Sequence, residues 1–256
     1  MINAFLTDDF TIKYVAHYSD SVQPLFYKIT SYWGGLDGSI MFWVALLSVF
    51  GSAAVRINRE RHRELIPYVV AVIAVVQMFF LYLMIVHNNP FETYVTQSPV
   101  DGAGLNPVLQ NFYMVIHPPT MYLGFVGLTI PYAFGMAALF TGYLDDSWLR
   151  AVRRWTMVAW LFLSFGLVLG MIWAYEELGW GGYWGWDPVE NGSLIPWLSN
   201  IALLHGMLVQ RVTGSLRRTN FFLAITSYVL VLYASFLTRS GVLADFSVHS
   251  FVNNIN

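Results

Sequence analysis

The run Trp173–Trp197, WAYEELGWGGYWGWDPVENGSLIPW, decides the fold, because it is a short aromatic segment between two strongly hydrophobic stretches. Five tryptophans and two tyrosines fall within it, interleaved with glycines and followed by an Asp-Pro step. Membrane helices need only a few aromatic residues to anchor their ends at the bilayer surface. The density here is more typical of a flat apolar platform for a large planar ligand, which glycines allow to approach closely. The run therefore predicts a ligand-binding loop at a membrane surface.

The hydrophobic character of the flanking stretches extends along the whole chain, which is 57% hydrophobic and only 11% charged. Soluble domains are typically about 25% charged, and a helix needs about 20 mainly apolar residues to cross a bilayer. We predict an all-α, polytopic membrane helix bundle, with residues 1–256 forming a single integral membrane domain. The first 38 residues are mixed and interfacial in character. The six predicted spans are 39–56, 66–87, 118–140, 156–175, 194–210 and 221–238.

The basic residues predict the orientation of the bundle. Ten of the 13 lysines and arginines fall on one side of the predicted spans, and that side is predicted to be cytoplasmic. Both termini and the Trp-rich loop then lie outside, where the long loops concentrate function. The ten residues are Arg56, Arg59, Arg61, Arg63, Arg150, Arg153, Arg154, Arg211, Arg217 and Arg218, whereas Lys13, Lys28 and Arg239 lie on the other side.

Two histidines are candidate metal ligands above the Trp-rich loop. His117 stands at the outer end of the third predicted span, where Pro118 and Pro119 suit a helix start. His249 follows the sixth predicted span by about ten residues on the same side. Each alone could be an ordinary interfacial histidine. Together, the two imidazoles could hold the iron of a haem, whose planar ring would suit an aromatic platform.

His205 lies near the middle of the fifth predicted span, about 13 Å from Pro196 at the rise of an α-helix. An ionisable group at that depth is a functional candidate. It is either a neutral histidine bonded to a neighbouring helix or a ligand to a metal or haem within the membrane. Arg239, at the outer end of the sixth predicted span, is either a snorkelling anchor or the partner of an anion such as a haem propionate.

Asp187 has the position of a helix N-cap, with Pro188 at the first helical position and Glu190 able to complete a capping box. The fifth span is therefore predicted to begin inside the aromatic run. We interpret the remaining histidines, His17, His62 and His87, as solvated or interfacial. The chain has no cysteine, which excludes disulfides and thiolate metal sites, and it has no phosphate-binding loop or dinucleotide fingerprint.

Several segments resemble the WWD family of haem-handling proteins, which includes the CcmF, CcmC and CcsA types. The segment WGGYWGWDPVENGSLIPW resembles the WWD signature, with Tyr183 where a tryptophan is common. Within it, the sequence Asp-Pro-Val-Glu-Asn favours the CcmF-type cytochrome c haem lyase. The segments WAYEELGWGG, LTRSGVL, SVHSF, LNPVLQNFYMVIHPPTMYLGFVG and NAFLTDDFTIKYVAHYSD resemble the same type. The resemblance runs along essentially the whole chain.

The resemblance implies a role for each matching residue. His117 and His249 match the two periplasmic histidines that hold haem, and His205 matches the first of two transmembrane histidines that hold a haem b. The WWD core corresponds to Trp180, Trp184, Trp186 and Asp187. The implied location is a bacterial inner membrane or, alternatively, an organelle inner membrane.

The resemblance also implies partners and a reaction. Haem arrives on the chaperone CcmE and is joined by thioether bonds to the CxxCH motif of an apocytochrome c, with a CcmH-type partner handling thiols; nucleic acid has no part. Family members continue well beyond His249, so we expect a fragment or a split lyase completed by a C-terminal half or a second subunit. Three alternatives remain: a haem delivery module that forms no bond, a membrane transporter, and a structural subunit of a respiratory complex. Few charges lie within the predicted spans, which disfavours the transporter, and no general base is identifiable.

Overall fold

The computed structural model describes residues 1–251, and its regular structure is helical. Within these residues the only strand-like pairing is an isolated bridge between Ile12 and Thr93. A π-helical turn, Leu83–His87, extends α5, and a short 3-10 turn, Pro107–Leu109, precedes α6. The α-helices are α1 (Ile2–Leu6), α2 (Lys13–Tyr18), α3 (Leu25–Gly34), α4 (Leu36–Asn58), α5 (Ile66–Tyr82), α6 (Phe112–Gly127), α7 (Thr129–Thr141), α8 (Ser147–Glu177), α9 (Pro188–Thr213) and α10 (Arg217–Arg239).

Six helical segments are long and apolar enough to cross a membrane, which confirms the predicted fold class. They are Leu36–Asn58, Ile66–His87, Phe112–Thr141, Ser147–Glu177, Pro188–Thr213 and Arg217–Arg239. Because α8 ends and α9 begins at the Trp-rich loop, we call this side of the bundle the Trp-loop end. The second segment matches its predicted bounds of 66–87, whereas the other five extend beyond the predicted spans because hydrogen-bonded turns continue past the apolar window into polar residues.

The third span begins earlier than the sequence predicted. We expected it to start at residue 118, but α6 begins at Phe112, so His117 lies inside the helix. Asn111 is the cap, because its side chain accepts hydrogen bonds from the backbone of Tyr113 and Met114. Pro118 and Pro119 are therefore interior residues of α6, where the missing N–H groups leave two carbonyls of the preceding turn without helical donors. The same span is also divided at Leu128, where α6 gives way to α7.

Close contact between α6 and α8 positions the candidate site. A Cβ atom at Gly124 of α6 would lie 2.6 Å from Leu163 Cγ, and one at Gly166 of α8 would overlap Met121 Sδ. Small residues of this kind let helix backbones approach closely within membranes. The main core adjoins this contact and includes Trp43, Val126, Leu163 and Val231, all fully buried.

Residues 1–34 and 88–111 form a second folded unit, here called the N-terminal lobe. Phe5, Tyr14 and Val15 are its buried centre. The segment before α6 is attached to α2, because the Ala103 N–H donates to Ala16 O at 2.7 Å. A partly buried ion pair at 2.6 Å between Lys28 and Asp8 joins α3 to the turn after α1. The sequence indicated only an interfacial segment here, whereas the structure has three short helices.

Candidate haem site

A cavity of about 1050 Å³ opens at the Trp-loop end of the bundle. Its wall combines α6, α8, α10, the Trp-rich loop, the N-terminal lobe and the residues after α10. These elements meet there because alternate ends of successive spans lie on one side of the bundle. Its ionisable and large aromatic wall residues are His17, Tyr18, Trp33, His117, Tyr122, Phe125, Trp173, Trp184, Glu190, Arg239, Asp245, Phe246, His249 and Phe251.

His117 reaches the cavity from the second turn of α6. Its Nδ1 lies 2.7 Å from the carbonyl oxygen of Gly166 on α8. Because a carbonyl can only accept, Nδ1 carries the proton and Nε2 is left with a free lone pair. The imidazole also lies against Gly170, where a Cβ atom would stand 2.7 Å from His117 Cε1. A glycine is therefore needed beneath this histidine.

His249 belongs to the segment that folds back over the Trp-loop end after α10. Its side chain is only 14% exposed, and Nδ1 lies 3.4 Å from Asp187 Oδ1. Its backbone N–H donates to Ser247 Oγ at 3.1 Å, and Ser247 Oγ donates to Asp187 at 2.8 Å. Burial opposes ionisation of Asp187, but the contacts from His249, Ser247 and the Val189 N–H outweigh it and hold the pKa of this carboxyl below its usual range.

Trp173 contacts both candidate ligands, although it was not predicted as a site residue. Its ring is nearly parallel to the His117 imidazole at 6.5 Å between centroids, and nearly perpendicular to the His249 imidazole at 5.4 Å. The indole N–H donates to Val108 O at 3.1 Å, which ties α8 to the N-terminal lobe. A sequence signal did exist, because Gly166, Gly170 and Trp173 fall on one face of α8 at i, i+4 and i+7.

The three tryptophans of the predicted WWD core differ in their position relative to the cavity. Trp184 lines the cavity. Trp180 lies outside the wall but packs against His249, with 6.1 Å between ring centroids. Trp186 is 72% exposed and has φ 56°, an uncommon conformation for a residue with a side chain. Asp187 lies behind the wall, where it caps α9.

The predicted capping box at the start of α9 is confirmed. Asp187 Oδ1 accepts from Val189 N at 2.7 Å and Glu190 N at 3.4 Å. Glu190 Oε2 in turn accepts the N–H groups of Asp187 and Gly185, at 3.2 and 2.9 Å. The carboxylates of Asp187 and Glu190 thus hold the end of the Trp-rich loop, from Gly185 onward, against the first turn of α9.

Arg239 lies at the end of α10 among aromatic rings. Its guanidinium carbon is 5.5 Å from the ring centroids of Trp43 and Tyr122 and 5.9 Å from that of Phe251. It donates to Ser235 Oγ at 2.9 Å and to Tyr122 OH at 2.8 Å. No carboxylate among residues 1–251 lies within 4.0 Å of it. The cation thus borders the cavity without a counter-ion from the described part of the chain.

Two other histidines, His205 and His17, lie apart from the candidate ligands His117 and His249. His205 lies on the exposed surface of α9, away from the cavity wall, and its Nδ1 is 2.8 Å from the carbonyl oxygen of Ile201 in the same helix. His17, interpreted from the sequence as solvated or interfacial, instead lines the cavity, and its Nε2 lies 3.4 Å from Tyr94 OH.

Comparison with known proteins identifies the family. Residues 33–243 match the family model of the cytochrome C assembly protein. The chain is 44% identical over 251 residues to the cytochrome c-type biogenesis protein CcmF of Pseudomonas aeruginosa and 41% identical over 254 residues to that of Escherichia coli. These alignments include 98% and 99% of this chain but 38% and 39% of the relatives, corresponding to their N-terminal portion.

A solved structure agrees with the sequence relatives. It is described as the cytochrome c heme lyase CcmF, and it superposes with a TM-score of 0.79 at 38% identity over 95% of this chain and 38% of that chain. With the family model matching most of its length, this multi-pass membrane chain belongs to the cytochrome c assembly protein family and matches the N-terminal portion of its CcmF members.

Proposed function

We propose that this chain binds haem in the cavity at the Trp-loop end and takes part in its covalent attachment to apocytochrome c. The observation that carries the proposal is that His117 and His249 border one cavity, with a protein oxygen 2.7 Å from Nδ1 of His117 and 3.4 Å from Nδ1 of His249. Metal-binding histidines usually use one ring nitrogen for such a contact, which fixes the tautomer and leaves the other for the metal. Nε2 of each histidine is therefore assigned to the iron.

The donor set fits haem better than a bare metal ion. Among the residues described, no group of three or more His, Asp or Glu could hold a metal ion. Haem iron needs only axial ligands from the protein, because the porphyrin supplies the rest. The wall around the two histidines also has aromatic surface from Trp173 and Trp184, against which a planar macrocycle could pack.

Arg239 is proposed to bind a haem propionate. It is a cavity-lining cation with no carboxylate from residues 1–251 within 4.0 Å. The aromatic rings around it stabilise the cation, and its bonds to Ser235 and Tyr122 fix its direction. An arginine with this environment favours a carboxylate ligand through charge-assisted hydrogen bonds.

The Trp-rich loop is proposed to complete the site around His249. Trp184 would contact the macrocycle directly, and Trp180 would hold the His249 ring from behind. Trp186, exposed and outside the wall, is available to a partner such as the haem chaperone CcmE.

The proposed reaction requires little chemistry from the chain itself. When bound, haem would supply the vinyl groups with which the cysteine thiols of a CxxCH motif form thioether bonds. The chain has no cysteine, so the thiols come from the apocytochrome, and a CcmH-type partner would keep them reduced. Holding the reacting groups together can lower a barrier by about 7–11 kcal/mol. The histidines and Arg239 would provide this orientation, and no catalytic residue is assigned.

The proposal extends to membrane orientation and to the rest of the protein. The arginine-rich turns favour the cytoplasm, so the Trp-loop end and both termini are assigned to the periplasmic side of a bacterial inner membrane. Residues 1–256 would act as one haem-handling domain. His205, exposed on α9, is proposed to bind a second haem, haem b, with its other ligand from a C-terminal half or a second lyase subunit.

Haem titration tests the proposal. The detergent-purified chain is titrated with haemin, and spectra of the oxidised and reduced forms are recorded for wild type, His117→Ala, His249→Ala and His205→Ala. We expect a low-spin spectrum that either cavity variant abolishes and that His205→Ala leaves in place. Unchanged spectra in both cavity variants would refute the site. Addition of a CxxCH peptide then separates a lyase, which yields a thioether adduct, from a delivery module, which does not.

A further inference from the structure

One carboxylate joins the Trp-rich loop to the segment that carries His249. Asp187 Oδ1 accepts from two N–H groups of the first turn of α9, and it also accepts from Ser247 Oγ at 2.8 Å. The same oxygen lies 3.4 Å from His249 Nδ1. The residue is only 9% exposed, so these contacts are shielded from water. A helix cap alone would not require the last two contacts.

The arrangement favours one tautomer of His249. Nδ1 is buried and makes no aligned hydrogen bond, and a carboxylate oxygen of Asp187 lies 3.4 Å from it. An ionised carboxylate only accepts, which places the imidazole proton on Nδ1 and a lone pair on Nε2.

The two candidate ligands differ in the partner of Nδ1. His117 faces a neutral backbone carbonyl, at Gly166, whereas His249 faces a carboxylate. A carboxylate partner raises the basicity of a metal-binding imidazole, because the negative charge stabilises the N–H proton and increases electron density on the ring. The two sides of the proposed haem are therefore electronically unequal.

We infer that Asp187 is a positioning residue that orients His249 and makes it the stronger of the two iron ligands. The inference rests on the proposed haem site. It gives the aspartate of the WWD motif a role beyond the helix cap, because one oxygen, Asp187 Oδ1, contacts both the start of α9 and the segment that carries His249. Removing the charge should weaken iron binding by about 10- to 100-fold, the usual effect of losing such a partner.

Asp187→Asn separates the two roles, since asparagine caps helices about as well as aspartate. The full chain is titrated with haemin in detergent, and both the Kd and the reduction potential of the bound haem are measured. We expect a 10- to 100-fold higher Kd. The potential should rise, because a weaker donor stabilises ferric iron less. Asp145→Asn is the matched control: it removes a carboxylate that accepts the Ser147 N–H at the start of α8, at the end of the bundle opposite the Trp-rich loop, so the potential should remain that of wild type.

The outcomes distinguish this inference from the proposed function. If His249→Ala abolishes the low-spin spectrum but Asp187→Asn retains the wild-type Kd and potential, Asp187 does not act through His249. If Asp145→Asn shifts the potential as much as Asp187→Asn, the effect is a general one of losing a carboxylate, and the inference is again wrong. If His249→Ala itself leaves the spectrum unchanged, the haem site has been misassigned.

Discussion

Replacing Gly170 by alanine should displace His117 and weaken haem binding without unfolding the chain. The new Cβ atom would stand 2.7 Å from His117 Cε1, whereas ordinary van der Waals contact begins at 3.4 Å. The ring must therefore withdraw by about 0.7 Å. Its bond to Gly166 O is 2.7 Å long, so the withdrawal would lengthen or misalign this bond. Binding sites hold their groups within about 0.5 Å of the productive geometry, and loss of the bond that orients a metal-binding histidine costs about 10- to 100-fold in affinity.

Stability should change much less than haem affinity. Alanine within a helix is favoured over glycine by about 1 kcal/mol, and the overpacking costs about 1–3 kcal/mol. The two effects oppose each other and leave a net loss of no more than about 2 kcal/mol. We therefore expect a 10- to 100-fold higher Kd for haemin and a folded protein.

The assay is a Soret titration of wild type, Gly170→Ala and Gly135→Ala in the same detergent. Gly135 is a matched control, because its Cβ would lie 3.6 Å or more from neighbouring atoms and it is a helical glycine outside the cavity wall. The control should bind haem like wild type. If Gly170→Ala also binds haem with the wild-type Kd and low-spin spectrum, the imidazole of His117 is not an iron ligand and the steric argument is wrong.

Three further predictions concern other parts of the site. Asn111→Ala removes the cap of α6 and the bonds of Asn111 to the Glu176 and Glu177 carboxylates, and should destabilise the protein by about 1 kcal/mol, seen as a lower midpoint of thermal unfolding, whereas Asn111→Ser keeps a capping oxygen and should retain part of the stability. Arg239→Met keeps an apolar side chain but removes the cation, so it should weaken haemin binding by about 10- to 100-fold, the equivalent of one charged hydrogen bond. Arg239→Lys should recover part of the loss. Equal affinity in wild type and both variants would contradict a propionate contact. Hydrogen bonds from Ser21 hold the pKa of Asp101 below its usual range, so the stability they provide is complete above about pH 4 and is lost as the pH falls through the lower folded-state value. The protection of the Ser21 amide, measured as its exchange rate relative to an unfolded peptide at the same pH, should fall only in that acid range, and Asp101→Ala should lack this protection at every pH.

The helices that the sequence predicted correctly are those specified by local features. Each span is an apolar run long enough to cross a bilayer, and such a run satisfies its backbone polar groups only as a helix. The start of α9 was equally local, because Asp187, Pro188 and Glu190 supply a cap, a preset φ and a capping-box partner within four positions. No distant residue was needed for either prediction.

The start of α6 was misjudged because two local signals conflict. Pro118 and Pro119 favour a helix beginning near them, whereas Asn111 has the side chain of an N-cap. The helix begins at the cap and includes both prolines. Packing against α8 can compensate for the lost backbone bonds, and Gly124 and Gly166 make that packing close. Tertiary contact thus decided between two starts that sequence alone could not rank.

The cavity wall was the least predictable part because its members come from distant parts of the chain. His17 and Trp33 reach it only through the fold of the N-terminal lobe, which depends on pairing between residues 11–13 and 92–94. Trp173 stands in the run that suggested the site. Its importance comes from contacts with His117 and His249 that no spacing within the run specifies.

The structure changes the explanation for the Trp-rich loop itself. The sequence suggested a continuous aromatic platform, but of the three tryptophans in the WWD core only Trp184 borders the cavity. Beyond that ring, the loop links the segment after α10 to the start of α9. Glu190 accepts two N–H groups of the loop, and Asp187 accepts from Ser247 and lies 3.4 Å from His249. An irregular segment after α10 must be ordered to hold the proposed ligand His249 in place, and ordering it costs about 1–2 kcal/mol per residue. Anchoring that segment to a capped helix offsets part of this cost, which gives a physical reason for an aspartate to follow the tryptophans directly.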